Sequence, residues 1–214
     1  MESLAPWPCL GDDDGMPAVP AWQSAQPAQQ VSLVRGRLSH PSERCDMEPI
    51  RDAIETASRY LREHPDAAAG TDAAATAVLE EGLRFRVEGP KGHLNSDMSE
   101  SVGGGATAPT PAWLQRAALA SCDATLVAME AARDGIQLTD LTVTVDSDSD
   151  FRGILGVDDT IHPGPLAIRV RIQLAAANAT EDQLREIVQR AESRSPVRDA
   201  LERGVSMATE IVTA

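Results

Sequence analysis

The stretch "TPAWLQRAALASCDATLVAMEAARDG", residues 110–135, decides how the rest of the chain is read. Thr110 can cap a helix start with its side-chain oxygen, and Pro111 suits the first helical position, where no N–H is needed. The stretch is rich in alanine and leucine, and Asp134-Gly135 supplies a stop, with Gly135 placed just past the helix end. One long helix is predicted over 111–134. It carries a single cysteine, Cys122, with no histidine or second cysteine nearby. That thiol is either a nucleophile or a small apolar residue packed in a core.

Upstream of this helix the pattern alternates. In "TAVLEEGLRFRVEG" (76–89), Leu83, Phe85 and Val87 alternate with Arg84, Arg86 and Glu88, the period of a strand. "GPKG" is a turn and "HLNSDMS" a weak return strand, so a hairpin is expected, followed by the glycine-rich loop "SVGGGATAPTP". Downstream, "LTVTVDSD" places Leu141, Val143 and Val145 on one face. "PLAIRVRIQLA" places Leu166, Ile168, Val170, Ile172 and Leu174 inward, with Arg169 and Arg171 outward. Thr180 and Gln183 form a capping box before the amphipathic run Leu184, Ile187, Val188, Ala191. Ser195-Pro196 restarts a short helix, and "VSMATEIVTA" reads as a closing strand. The predicted class is α+β, with segregated helices rather than a βαβ repeat.

The N-terminal part divides at Met47. "MEPIRDAIETASRYLREHPD" is an amphipathic helix with Ile50, Ile54, Ala57 and Leu61 on one stripe, stopped at His64-Pro65 and followed by an Ala/Thr linker, so 47–71 is a helix-and-linker unit and 72–214 the main domain. Residues 1–46 hold Pro6, Pro8, Pro17, Pro20, Pro27 and Pro41 with "GDDDG" and "QSAQPAQQ", and are expected to be a disordered tail. A natural translation start at Met47 fits this division. The N-terminus lacks a basic region and an apolar run, so no signal peptide is expected.

Composition narrows the partners. The 214 residues carry a formal net charge of −14, which repels phosphate backbones and anionic membrane surfaces; neither nucleic acid nor a membrane is expected as a partner. No apolar run approaches the length of a transmembrane span. Aromatic residues are 3%, so the core must be built from Ala, Val, Leu, Ile and Met. The three cysteines, Cys9, Cys45 and Cys122, show no paired spacing, which suits a reducing cytoplasm.

Several motifs fail on their chemistry. Asp146, Asp148 and Asp150 have calcium-loop spacing, but Phe151 stands where that loop needs glycine and Val157 where it needs glutamate. "GGGAT" lacks the lysine of a phosphate loop, and His40, His64, His93 and His162 have no metal-ligand spacing. No metal and no cofactor is implied.

Three segments carry a resemblance: "GGGATAPTPAWLQRAALASCDATLVAMEAARDGI", "DFRGILGVDD…GPLAIRVRI" and "SPVRDALERGVSMATEI". Together they resemble the OsmC/Ohr superfamily, the osmotically inducible protein C and organic hydroperoxide resistance proteins, over about residues 72–212. The resemblance implies an OsmC-like α+β fold with an antiparallel sheet packed on long central helices, in an intertwined homodimer. It also implies a thiol peroxidase in which a cysteine of the central helix attacks an organic hydroperoxide, a second cysteine resolves the sulfenic acid, and a glutamate and an arginine hold the first cysteine.

Carried onto this chain, Cys122 matches the peroxidatic cysteine. The second cysteine opens a "CPV" restart in the peroxidases; here Ser195 opens "SPV". The glutamate belongs to an "N-P-E-x-L" pattern; here "T-P-A-W-L" puts Ala112 there. Arg84, Arg86 and Arg152 are candidate partners of the thiolate by their basic character, and Trp113 and Met129 are candidate lining of an apolar substrate pocket. At helical spacing Cys122 shares a face with Leu114, Ala118, Leu126 and Met129, and apolar surroundings disfavour a thiolate. Ser195 before Pro196 also has a plain role as a helix cap.

Two readings stay open. One is a one-cysteine, thiol-dependent reductase of small apolar hydroperoxides that relies on an external thiol reductant. The other is a non-catalytic dimer that binds a small apolar ligand, with Cys122 a core residue.

Overall fold

The computed structural model describes residues 47–213, so the expectations for the tail, Cys9 and Cys45 lie outside the described residues. Helix α1 (Glu48–Glu63) has Pro49 in its first turn, and Ile50 and Ile54 are half-buried, whereas Ala57 and Leu61 of the expected stripe are exposed. The helix ends at His64, whose backbone N–H bonds the carbonyl of Tyr60 at 2.8 Å and whose ring stacks on the Tyr60 ring. A 3-10 turn, Pro65–Ala67, opens the exposed linker.

The segment expected to form one strand of a hairpin forms two strands of a three-stranded meander. These are β1 (Thr76–Glu81) and β2 (Arg84–Gly89), with β3 (Gly92–Ser96) antiparallel on the far side of β2. The break is at Gly82, whose φ of +55° turns the chain in a conformation that glycine adopts at little cost. Cross-strand partners share a face. Ala77, Val87 and Leu94 are therefore on one side with Leu79 and Phe85, giving the sheet an apolar face. That face is open, with Leu79 60% exposed.

A buried carboxylate organises the loop between β3 and the long helix. Asp97, 2% exposed, accepts the backbone N–H groups of Met98 (2.7 Å), Gly105 (3.2 Å) and Thr107 (3.0 Å) and the Thr107 hydroxyl (2.7 Å). These donors lower its pKa to about 2, the backbone and side-chain bonds of Thr107 being the largest causes. Glycine is required at 104, where a Cβ would sit 2.1 Å from the Met98 carbonyl oxygen.

Helix α2 (Pro111–Arg133) follows as expected, with Thr110 Oγ1 accepting the Trp113 N–H and Gly135 at φ +66° past its end. Strand β4 (Leu138–Asp148) leads to the short helix α3 (Phe151–Ile154), capped by Asp150 within the segment expected to be a turn. Strand β5 (Ala167–Ala176) pairs antiparallel with β4 in a separate two-stranded sheet. Leu141, Val143, Val145, Ile168, Val170, Ile172 and Leu174 are half-buried, but Leu166, expected inward, precedes the strand and is exposed. Helix α4 (Glu181–Glu192) begins with the Thr180–Gln183 capping box, and α5 (Pro196–Arg203) restarts at Ser195.

The core is small. Val127, Ala131, Ile136, Ile187 and Ala191 are buried where α2 meets α4, with Leu138, Leu141, Ile172 and Leu174 packed against them from the two-stranded sheet. Helix α2 is the hub, packing on α1, β4, α4 and α5. The last segment corrects an expectation. Residues 205–213 are not a strand, because a strand exists only through a ladder and this segment has none within the described residues. It leaves Met207, Ile211 and Val212 exposed.

The Asp97 geometry makes an acid-sensitivity prediction. Its carboxyl titrates lower in the folded chain than the usual 3.8, so its contribution is complete above about pH 4 and is lost as pH falls towards about 2. Hydrogen exchange at the Gly105 and Thr107 amides should accelerate over that window. Asp97→Asn should show the same acceleration at neutral pH.

Candidate functional site

The side of α2 that faces the interior differs from the one expected. Its fully buried line is Leu119, Asp123, Val127, Glu130 and Ala131, so two carboxylates lie two turns apart in the interior. Cys122, expected on an apolar buried face, is half-buried at the edge of this line. The reason is charge pairing. Asp123, 1% exposed, accepts from Arg198 of α5 at 2.8 Å, and Glu130, 2% exposed, accepts from Arg194 at 2.5 Å, Arg190 at 3.1 Å and Arg133 at 3.0 Å. Arg190 also pairs with Asp134.

Arginines stand in for the water that both buried carboxylates lose. Burial alone would push the Glu130 pKa up, but the Arg194 and Arg190 bonds outweigh it and the net shift is down. Arg198 is shared among Asp123, Glu192 (3.0 Å) and Glu202 (3.7 Å). Burial would lower its pKa, yet the bond to Asp123 and the surrounding carboxylates raise it above the usual value, so it remains a cation. Asp123 Oδ1 and Arg198 Nε are buried without hydrogen-bond partners, which leaves the pair joined by one bond instead of two. The Asp123 charge beside Cys122 is thus balanced locally by Arg198.

The Cys122 sulfur meets a hydroxyl. Its Sγ lies 3.3 Å from Ser195 Oγ, and Ser195 is 1% exposed. Ser195 is also the N-cap of α5, accepting the Arg198 backbone N–H at 3.3 Å, so the plain capping role holds. The two positions matched by resemblance, 122 and 195, are therefore brought into contact. The candidate arginines are engaged elsewhere in the chain: Arg84 with Glu80 (2.9 Å) and Thr107 (2.5 Å), Arg86 with Glu88, Arg152 with Asp150 (2.5 Å). Ala112 is exposed in the first turn of α2; Trp113 is half-exposed there, and Met129 is half-buried. A groove of about 480 Å³ lies between β5 and α4, lined by Ile172, Leu174, Leu184 and Val188 with Glu181, Arg185 and Gln189, and includes neither Cys122, Trp113 nor Met129.

Sequence reasoning passed over Arg198, Arg190 and Arg194. The available signal was their placement in a helix pair facing two acids seven residues apart. Among the described residues, no group of three His, Cys, Asp or Glu side chains is placed to hold a metal ion, and no helix is long and apolar enough to cross a membrane.

Comparisons with known proteins bear on the fold. A family model described as OsmC-like protein matches residues 103–210. A search of curated proteins finds no sequence match. Among solved structures, an OsmC-like protein from Mycoplasma pneumoniae is 19% identical, with 64% of this chain and 91% of that chain covered and a TM-score of 0.53. An OsmC-like protein of unknown function from Vibrio cholerae is 13% identical, over 62% of this chain and 95% of that one, with a TM-score of 0.53. An organic hydroperoxide resistance protein from Legionella pneumophila is 21% identical, over 63% and 91%, with a TM-score of 0.47.

The charge pairing predicts a large effect from one isosteric change. Glu130→Gln should lower unfolding stability by about 2–3 kcal/mol in a denaturant titration, because it removes a buried charge on which three arginines converge. Arg194→Ala should cost less than about 1 kcal/mol, since that side chain is half exposed. The Glu130 contribution should be present above the usual glutamate pKa and fade as pH falls below it.

Proposed function

The chain belongs to the OsmC-like protein family, and from that premise we propose that it reduces organic hydroperoxides with Cys122 as its single catalytic thiol. The observation that carries this reading is the contact of a half-buried cysteine on the long helix with a buried hydroxyl, at the two positions the family resemblance pairs. The Cys122 thiolate attacks the distal oxygen of ROOH; the O–O bond breaks, and the alkoxide takes a proton to leave as ROH. Cys122 is left as sulfenic acid. Ser195 cannot close a disulfide on it, so an external thiol attacks the sulfur, releasing water and forming a mixed disulfide. A second thiol then frees Cys122. The sum is ROOH + 2 R′SH → ROH + R′SSR′ + H₂O.

We also propose a homodimer. The apolar face of the three-stranded sheet is open and segment 205–213 leaves Met207, Ile211 and Val212 exposed, surfaces of the kind that association covers. A second copy would cover them, and light scattering at micromolar concentration should return twice the chain mass.

Activity is tested by consumption of cumene hydroperoxide in the presence of dithiothreitol. Wild type should turn over, and Cys122→Ser should lose turnover by at least a hundredfold with its melting temperature little changed. Turnover indifferent to Cys122→Ser would overturn the assignment of Cys122 as the catalytic thiol, and wild-type turnover no faster than dithiothreitol alone would leave the fold serving binding rather than catalysis.

A further inference from the structure

Cys122 sits about three turns into α2, too deep for the N-terminus of its own helix to act on the sulfur. A different helix start reaches it. Ser195 caps α5, and its Oγ is 3.3 Å from Cys122 Sγ. The cap bond from the Arg198 N–H occupies a lone pair of that oxygen and leaves the hydroxyl hydrogen free. At 1% exposure Ser195 cannot spend that hydrogen on bulk water, and the sulfur is its remaining partner. The Arg198 side chain holds the arrangement in place. Its guanidinium bonds Asp123, the residue after Cys122, and so ties the first turn of α5 to α2 beside the thiol.

We propose that Ser195 is a positioning residue for Cys122: its hydroxyl, at the positive end of α5, donates to the sulfur and favours thiolate over thiol. The proposal rests on the reading of Cys122 as the nucleophile. It gives Ser195 a use that an alanine could not fill: serine cannot form the disulfide that a cysteine here would, but it can donate a hydrogen bond.

The test is alkylation of Cys122 by iodoacetamide in the full chain between pH 5 and pH 10, resolved by peptide mass spectrometry so that Cys9 and Cys45 do not contribute. Wild type, Ser195→Ala, Ser195→Gly and Ser195→Thr are compared, with melting temperatures recorded. Removing the hydroxyl should raise the midpoint of the pH profile by about one unit in Ala and Gly, and Thr should restore it. Glycine is nearly as good an N-cap as serine, so it reports on the hydroxyl even if the alanine variant does not fold. A midpoint unmoved in the glycine variant, or unrestored by threonine, overturns the proposal; lowered melting temperatures without a midpoint change would mark Ser195 as a cap alone. Hydroperoxide turnover in wild type with an unmoved midpoint would defeat this proposal and spare the functional reading. A shifted midpoint without turnover would do the reverse.

Discussion

Two carboxylates on the inner side of one helix set the arrangement of this molecule. Asp123 and Glu130 are almost fully buried, and each is neutralised from the helix pair that follows β5, by Arg198 in one case and by Arg190 and Arg194 in the other. Burying a charge is costly unless its partner comes with it, so α2 cannot rotate or slide against α4 and α5 without stranding a carboxylate. The apolar core between these helices is small and built from alanine, valine and isoleucine, side chains that pack well but specify register weakly. The ion pairs supply that register.

Cys122 inherits its environment from this constraint. It precedes Asp123 by one residue, about 100° around the helix, so the rotation that buries Asp123 leaves the thiol at the edge of the interface. The same Arg198 that pairs with Asp123 lies in the first turn of α5, whose cap touches the sulfur. Anchoring and thiol placement are one structure. The glycine-rich loop plays the matching part at the other end of α2, where Asp97 gathers three backbone N–H groups and delivers the chain to Thr110.

Local signals in the sequence were legible where chemistry is local. The Thr110-Pro111 start, the Gly135 stop, the Thr180–Gln183 box and the Ser195 cap all depend on residues within a few positions, and each is present. The alternation in β4 and β5 was equally plain. Signals failed where the deciding partner lies far along the chain. Residues 76–89 read as one strand of a hairpin because their composition stays strand-like on both sides of Gly82, and only the left-handed turn there divides them. The terminal segment has strand composition but no ladder within the described residues. The inner face of α2 read as apolar along Cys122 because arginines 60 to 75 residues away, which make an acidic face buriable, cannot be paired with Asp123 and Glu130 by periodicity.

The chemistry of this chain turns on whether the Cys122 sulfur is a nucleophile towards a peroxide bond. Its most direct measurement is the second-order rate of sulfenic acid formation at Cys122 with stoichiometric cumene hydroperoxide, trapped with dimedone and read on the Cys122 peptide. A rate at least a hundredfold above that of a small free thiol at the same pH is predicted. A rate equal to the free thiol would contradict it and return Cys122 to the role of a packing residue.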